Sequence, residues 1–364
     1  MTERRGIRAA DSEAAAGSKG RRAGQGVNRP ALLARSFWRW LLPLALLAPM
    51  LGLAYGLGER ALVFPEGAAL AFGVLVAGNP DWTRSRWRLV LLPTSCALAG
   101  TALAHTQLPR SGAVLIAVGI AVATAQAAGG RLGPVVSAAA LPVVFGGASW
   151  IYPISVAAIC AVLAVATRVP GVRPAEVGIQ GLRSPPRWPR SGLTLFAAVA
   201  AAWIVIAGPV LALPPTVLAP PLLVATLEWS VRGARPPMMA VKRWTLLVLA
   251  AAAGSAASAL CPPIESGGIA VAAVVAATAI QLSAVAVVLL LLRVTGEDAY
   301  PALAIALVPN LVAPTSVWAY PLWIGVGAGV LFTGAWVIAS LWRSGLRWWL
   351  SSRSGVAAST RSSL

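Results

Sequence analysis

From Ile269 to Leu292 the chain carries no charged residue. A run of that length and polarity suits one setting. Coiled as an α-helix it crosses the hydrocarbon core of a bilayer, which takes roughly 20 apolar residues. Similar runs recur along the 364 residues, of which 58% are hydrophobic and 11% charged. That charged share is far below that of a soluble domain. The expected fold is an all-α polytopic membrane protein, with the lipid bilayer as its first partner. A net charge of +18 would suit a nucleic-acid partner if the basic residues formed one face. They lie instead in short loops and tails between apolar runs, which is the positive-inside pattern. No nucleic-acid partner is expected.

The chain divides into five parts. Residues 1–36 are a basic tail with Arg4, Arg5, Arg8, Lys19, Arg21, Arg22, Arg29 and Arg35 among Gly, Ala and Ser, read as disordered and cytoplasmic. A first membrane repeat covers 37–168, a Pro- and Arg-rich cytoplasmic linker 169–190, a second repeat 191–343, and a further cytoplasmic tail 344–364. The first repeat reads as six segments: Phe37–Leu57, Ala61–Gly78, Leu89–Leu108, Gly112–Ala128, Leu132–Gly147 and Ile151–Ala166. Those of the second begin near Gly192, Pro214, Trp244, Gly268, Tyr300 and Trp318. Basic loops follow the second, fourth and sixth segments of both halves, at Arg84/Arg86/Arg88, Arg131 and the linker, then at Arg232/Arg235/Lys242/Arg243, Arg293 and the tail. Six segments per half leave both halves in one orientation. The expectation is a tandem parallel duplication with both termini cytoplasmic, in a bacterial inner membrane to judge by the Ala/Arg/Gly-rich usage.

Ordered matches support the repeat. Trp87 pairs with Trp244, Ser111-Gly112 with Ser266-Gly267, and Gln126 with Gln281 at that same offset. Pro134 and Pro142, eight apart and followed by Tyr152-Pro153, pair with Pro301, Pro309 and Tyr320-Pro321.

Two segments per half are short and broken by Pro or Gly: Pro65–Pro80 and Leu132–Gly147, then Pro214–Trp229 and Tyr300–Thr315. A broken helix frees backbone groups at membrane depth, which survive only against protein or a water-filled cavity. Matching broken segments in two halves point to a transporter's binding site. The candidate pathway residues are Glu66, Gln126, Pro134, Ser137, Pro142, Thr216, Gln281, Pro301, Pro309 and Asn310. Glu66 reads in two ways, as a gate or proton-coupling carboxyl, or as an interface carboxylate beside Arg60. Glu228 and Asp81 are expected in loop ion pairs with nearby arginines. Cys96, Cys160 and Cys261 lack metal-ligand spacing, and His105 is the single histidine. With no GxxxxGK[ST] and no paired carboxylates, no cofactor, metal or enzymatic activity is expected.

The fifth segments, Leu132-Gly133-Pro134-Val135-Val136-Ser137-Ala138 and Ala299-Tyr300-Pro301-Ala302-Leu303-Ala304, each lead to an aromatic-Pro start of a last helix. With Phe64-Pro65-Glu66-Gly67-Ala68-Ala69 and the Asn79-Pro80 loop, the chain resembles two fused units of the HPP family. Leu-Gly-Pro and Ala-Tyr-Pro stand in place of that family's His-Pro-Pro. Some members are associated with nitrite transport, so the resemblance implies a small-anion pathway. The expected function is transport of a small solute through a site between the repeats. The alternative is a non-transporting scaffold or accessory subunit of an export or biosynthetic complex.

Overall fold

The computed structural model describes residues 29–83, 85–146, 149–169, 187–233, 237–266, 269–312 and 316–361. The tail to residue 28, most of the linker, and Arg84, Gly147, Arg235, Gly267 and Thr315 lie outside the described residues. Contacts divide the chain into two compact units, 1–39 and 40–364. The described part of the first unit, 29–39, is helical.

All regular structure among the described residues is helical. In chain order the helices are α1 Arg29–Leu57, α2 Glu66–Ala71, α3 Pro80–Thr83, α4 Arg86–Ala104, α5 Arg110–Ala127, α6 Pro134–Phe145 and α7 Ile151–Ala166. The second series is α8 Arg190–Val205, α9 Pro220–Val231, α10 Pro237–Ala259, α11 Val271–Thr295, α12 Pro301–Ile305 and α13 Ala319–Arg361. Six stretches are long and apolar enough to cross a membrane: Trp38–Leu57, Arg86–Ala104, Arg110–Ala127, Arg190–Val210, Val271–Thr295 and Ala319–Ser344. Their outward faces are apolar. Leu91, Leu98, Ile116, Val271, Val275, Leu290 and Leu322 are all exposed, which in water would be a large apolar patch and in lipid is the expected surface.

Each expected segment contains a helix, and the broken ones are shorter than their apolar runs. Pro65 precedes α2, while Pro134, Pro220 and Pro301 open α6, α9 and α12. Proline suits a first helical position, where its missing N–H would have no partner anyway. The chain before α2 makes a 3₁₀ turn at Arg60–Leu62, and α2 runs on into a π-helical turn at Phe72–Val76. After α12 the chain tightens into a 3₁₀ turn at Val308–Asn310.

These four short helices form a closed ring. α2 packs on α6, α6 on α9, α9 on α12, and α12 on α2. All of α2 and α12, and α6 from Pro134 to Val144, are buried. The longer helices sheathe them: α4 and α5 pack on α6, while α10 and α11 pack on α12. Gly100 of α4 lies against the backbone of Ala139, and Gly254 of α10 against that of Ala306. A Cβ at either glycine would overlap the facing carbonyl oxygen, so each contact requires the one residue without that atom.

Inside a helix a proline cannot donate to the carbonyl four residues back. Pro142, inside α6, therefore frees the Ala138 carbonyl, while the Ile305 carbonyl is left open where α12 ends and the chain tightens toward its 3₁₀ turn. The Tyr152 hydroxyl donates to Ala138 O at 3.3 Å, and the Tyr320 hydroxyl to Ile305 O at 2.9 Å. Both acceptors are buried, away from any water that could replace these donors. The spacing from Pro142 to Tyr152 thus has a physical cause, and Tyr320 closes the open carbonyl at the end of α12 in the same way.

Candidate functional site

Two concave features meet the short helices. The first is a central cavity where all four converge, lined by Glu66, Ala69, Trp82, Pro134, Pro221, Val224, Glu228, Tyr300, Pro301 and Ala304. Its volume is about 10 Å³, enough for about one water. The second is a cleft of about 340 Å³ bordered by Tyr55, Arg60, Ser258, Cys261, Pro262, Pro263, Ile264, Pro309, Asn310 and Val317. The segment Pro301–Asn310 belongs to both, with Ala304 on the central cavity and Asn310 on the cleft.

Glu66 sits at the start of α2 and is 1% exposed. Its Oε1 accepts a hydrogen bond from the Ser137 hydroxyl, while Oε2 has no hydrogen-bond partner among the described residues. Tyr152 and Tyr320, the two carbonyl-capping tyrosines, lie within electrostatic reach of it. The interface reading of Glu66 is corrected: Arg60 pairs with Glu265 at 3.1 Å instead. Glu228 also departs from its expected loop ion pair. It lines the central cavity, and its Oε2 is buried without a hydrogen bond. Lys242 and Arg243 both pair with Glu297, at 3.3 and 3.6 Å.

The floor of the cleft is a closed ring of hydrogen bonds. Tyr55 donates to Asn310 Oδ1 at 3.0 Å, Asn310 Nδ2 donates to Gln281 Oε1 at 3.1 Å, and Gln281 Nε2 donates to the Tyr55 oxygen at 3.4 Å. Asn310 Nδ2 also reaches Leu307 O at 3.1 Å. The ring ties α1 to α11 and to the turn after α12. All three polar groups are satisfied, as burial demands.

The expected site residues therefore separate. Glu66, Pro134 and Pro301 line the central cavity, and Ser137 holds Glu66. Pro309 and Asn310 line the cleft, and Gln281 completes its floor. Pro142 is buried in α6 and acts through the carbonyl it frees. Gln126 and Thr216 belong to neither feature. Gln126, in the last turn of α5, holds the backbone of Trp188 through bonds of 3.0 and 3.2 Å. Gln281 sits in the middle of α11, so the two amides are not equivalent, contrary to the sequence match. Thr216 is buried in the 3₁₀ turn Pro215–Leu218, before α9 begins. Its turn precedes α9, so Ala219 and Pro220, not Pro215-Thr216, stand at the start of α9 as Pro65 and Glu66 stand at the start of α2. Sequence reasoning missed Tyr55, Arg60 and Glu228 as lining residues. Tyr55 lies in an apolar run and Arg60 in a short turn, and only folding brings them to Asn310.

Helix length, composition and the apolar outer surface define a multi-pass membrane protein. No protein-family model, curated protein or solved structure matches the chain.

Proposed function

We propose that the protein carries a small solute across a bacterial cytoplasmic membrane, both termini in the cytoplasm, through a site between two parallel six-segment repeats. The observation that carries the reading is Glu66, a carboxyl buried where four short proline-led helices meet. Ionisable groups inside a membrane are costly and mark solute or proton paths, and short helices in matching places of two halves mark binding sites. The duplication is supported by the glycine contacts at Ala139 and Ala306 and by the tyrosine bonds to Ala138 and Ile305. On this reading the cleft is the outer approach, the central cavity is the closed middle of the route, and the halves rock about it. The HPP resemblance favours a small anion as the solute, and nitrite is the first one to test.

The scaffold reading draws on a different observation, the central cavity of only about 10 Å³. Uptake into proteoliposomes separates the two. Wild type accumulates nitrite or small organic acids above protein-free vesicles, and Glu66→Gln lowers that rate at least about tenfold, as expected for a group acting in the transport step. Equal uptake by the variant takes Glu66 out of the path. No uptake of any solute by wild type favours the scaffold.

A further inference from the structure

We infer that the cleft beside Arg60 binds a small monocarboxylate with a short apolar chain. The inference deepens the transport reading and rests on it only for the claim that this ligand is cargo. A volume of about 340 Å³ lies at the small end of the range for organic ligands, and is far larger than a three-atom inorganic ion requires. Pro262, Pro263, Ile264, Pro309 and Val317 make its walls mostly apolar. Arg60 is the one cationic side chain among the lining residues. A guanidinium offers five N–H donors in a planar fork that matches a carboxylate. Here one terminal nitrogen meets Glu265 at 3.1 Å, and the buried Nε has no acceptor among the described residues. Glu265 is itself 65% exposed, so a ligand carboxylate can take its place at little cost.

The floor adds selectivity by what it lacks. Tyr55, Gln281 and Asn310 spend their hydrogen bonds on one another and on Leu307. A neutral amide finds no unmatched partner on that floor and is left with the hydroxyls of Ser258 and Ser316, neither of them charged, and an amine faces the Arg60 charge. A dicarboxylate has no second cation among the lining residues. One charge at the rim and an apolar body along the proline wall is the pattern that fits.

The test is titration calorimetry of the purified full-length protein in detergent with acetate, butyrate, hexanoate, butyramide, butylamine and nitrite. Butyrate is expected to bind at least about tenfold tighter than butyramide, butylamine or nitrite, the difference a charge-assisted bond makes. Arg60→Gln is expected to lose that margin. Glu265→Gln is expected to tighten butyrate binding severalfold by removing the competing carboxylate. Butyramide or nitrite binding as tightly as butyrate overturns the inference, as does Arg60→Gln at wild-type affinity, Glu265→Gln without a gain, or wild type that binds no acid. The wild-type ligand series needs no variant to fold. Vesicle uptake distinguishes the two readings. Acid binding with no movement of any solute ends the transport reading and leaves this site, whereas movement of other solutes without acid binding does the reverse.

Discussion

α6 and the segment of α12 with its following turn share a framework and differ in chemistry. Both open on a proline, both carry a second proline eight residues on, and both have an open carbonyl closed by a tyrosine. Both lie against a glycine of the neighbouring long helix. Three places after the first proline stands Ser137 in one and Ala304 in the other. Just after the second proline stands Val143 in one and Asn310 in the other. The polar positions are thus exchanged. α6 holds a polar side chain toward the central carboxyl, while the α12 segment holds one toward the cleft. The backbone frame is common to both regions, and one-residue choices on it set where polarity appears.

The largest test of that comparison is the shared frame. Gly100→Val and Gly254→Val each force a side chain into a backbone carbonyl, and both are expected to abolish monodisperse folded protein by size-exclusion chromatography in detergent, a loss of more than about 4 kcal/mol. Tolerance of one and not the other means that the two contacts are not counterparts. Next comes Val143→Asn, which plants an amide in α6 with no Tyr55 or Gln281 to receive it. It is expected to destabilise by about 1–3 kcal/mol, read as a lower unfolding midpoint. Tyr152→Phe and Tyr320→Phe each open a buried carbonyl, at about 1–2 kcal/mol. Adding Pro142→Ala to Tyr152→Phe restores an N–H four residues on and is expected to recover most of the loss, whereas adding Pro309→Ala to Tyr320→Phe, past the end of α12, is expected to recover little of it. The smallest effect is expected of Asn310→Val, which turns the second segment toward the first. It removes one member of a satisfied ring, costs about 1 kcal/mol, and leaves folding intact while loosening Tyr55, detectable in the tyrosine's near-ultraviolet dichroism.

Much of this was legible in the chain. Runs such as Ile269–Leu292 require membrane helices, and α11 covers all but the first two residues of that run. The proline pairs and Tyr-Pro steps located α6 and α12, because proline constrains its own backbone whatever surrounds it. Glu66, Ser137, Pro309 and Asn310 were recognisable as odd polar or helix-breaking residues in apolar segments. What escaped was pairing over distance. Glu66 could not be assigned to Ser137 rather than Arg60, since that choice is made by α2 packing on α6. Gln126 and Gln281 matched at a fixed offset, but α11 is longer than α5, and the extra turns shift one amide to mid-helix. Glu228 looked like a loop residue because arginines are its neighbours in sequence, whereas the fold turns it toward the cavity.

The bond from tyrosine to the freed carbonyl limits the order in which these positions can change. A chain that loses Tyr152 first passes through an open carbonyl in a dry interior. One that loses Pro142 first passes through a helix with its own bond restored and a hydroxyl to spare. Descent along such a lineage has a direction: the proline departs before the tyrosine, and on the way in the tyrosine arrives before the proline. A related chain keeping Tyr without Pro is a viable ancestor or descendant, and one keeping Pro without Tyr must supply another donor at the Ala138 carbonyl.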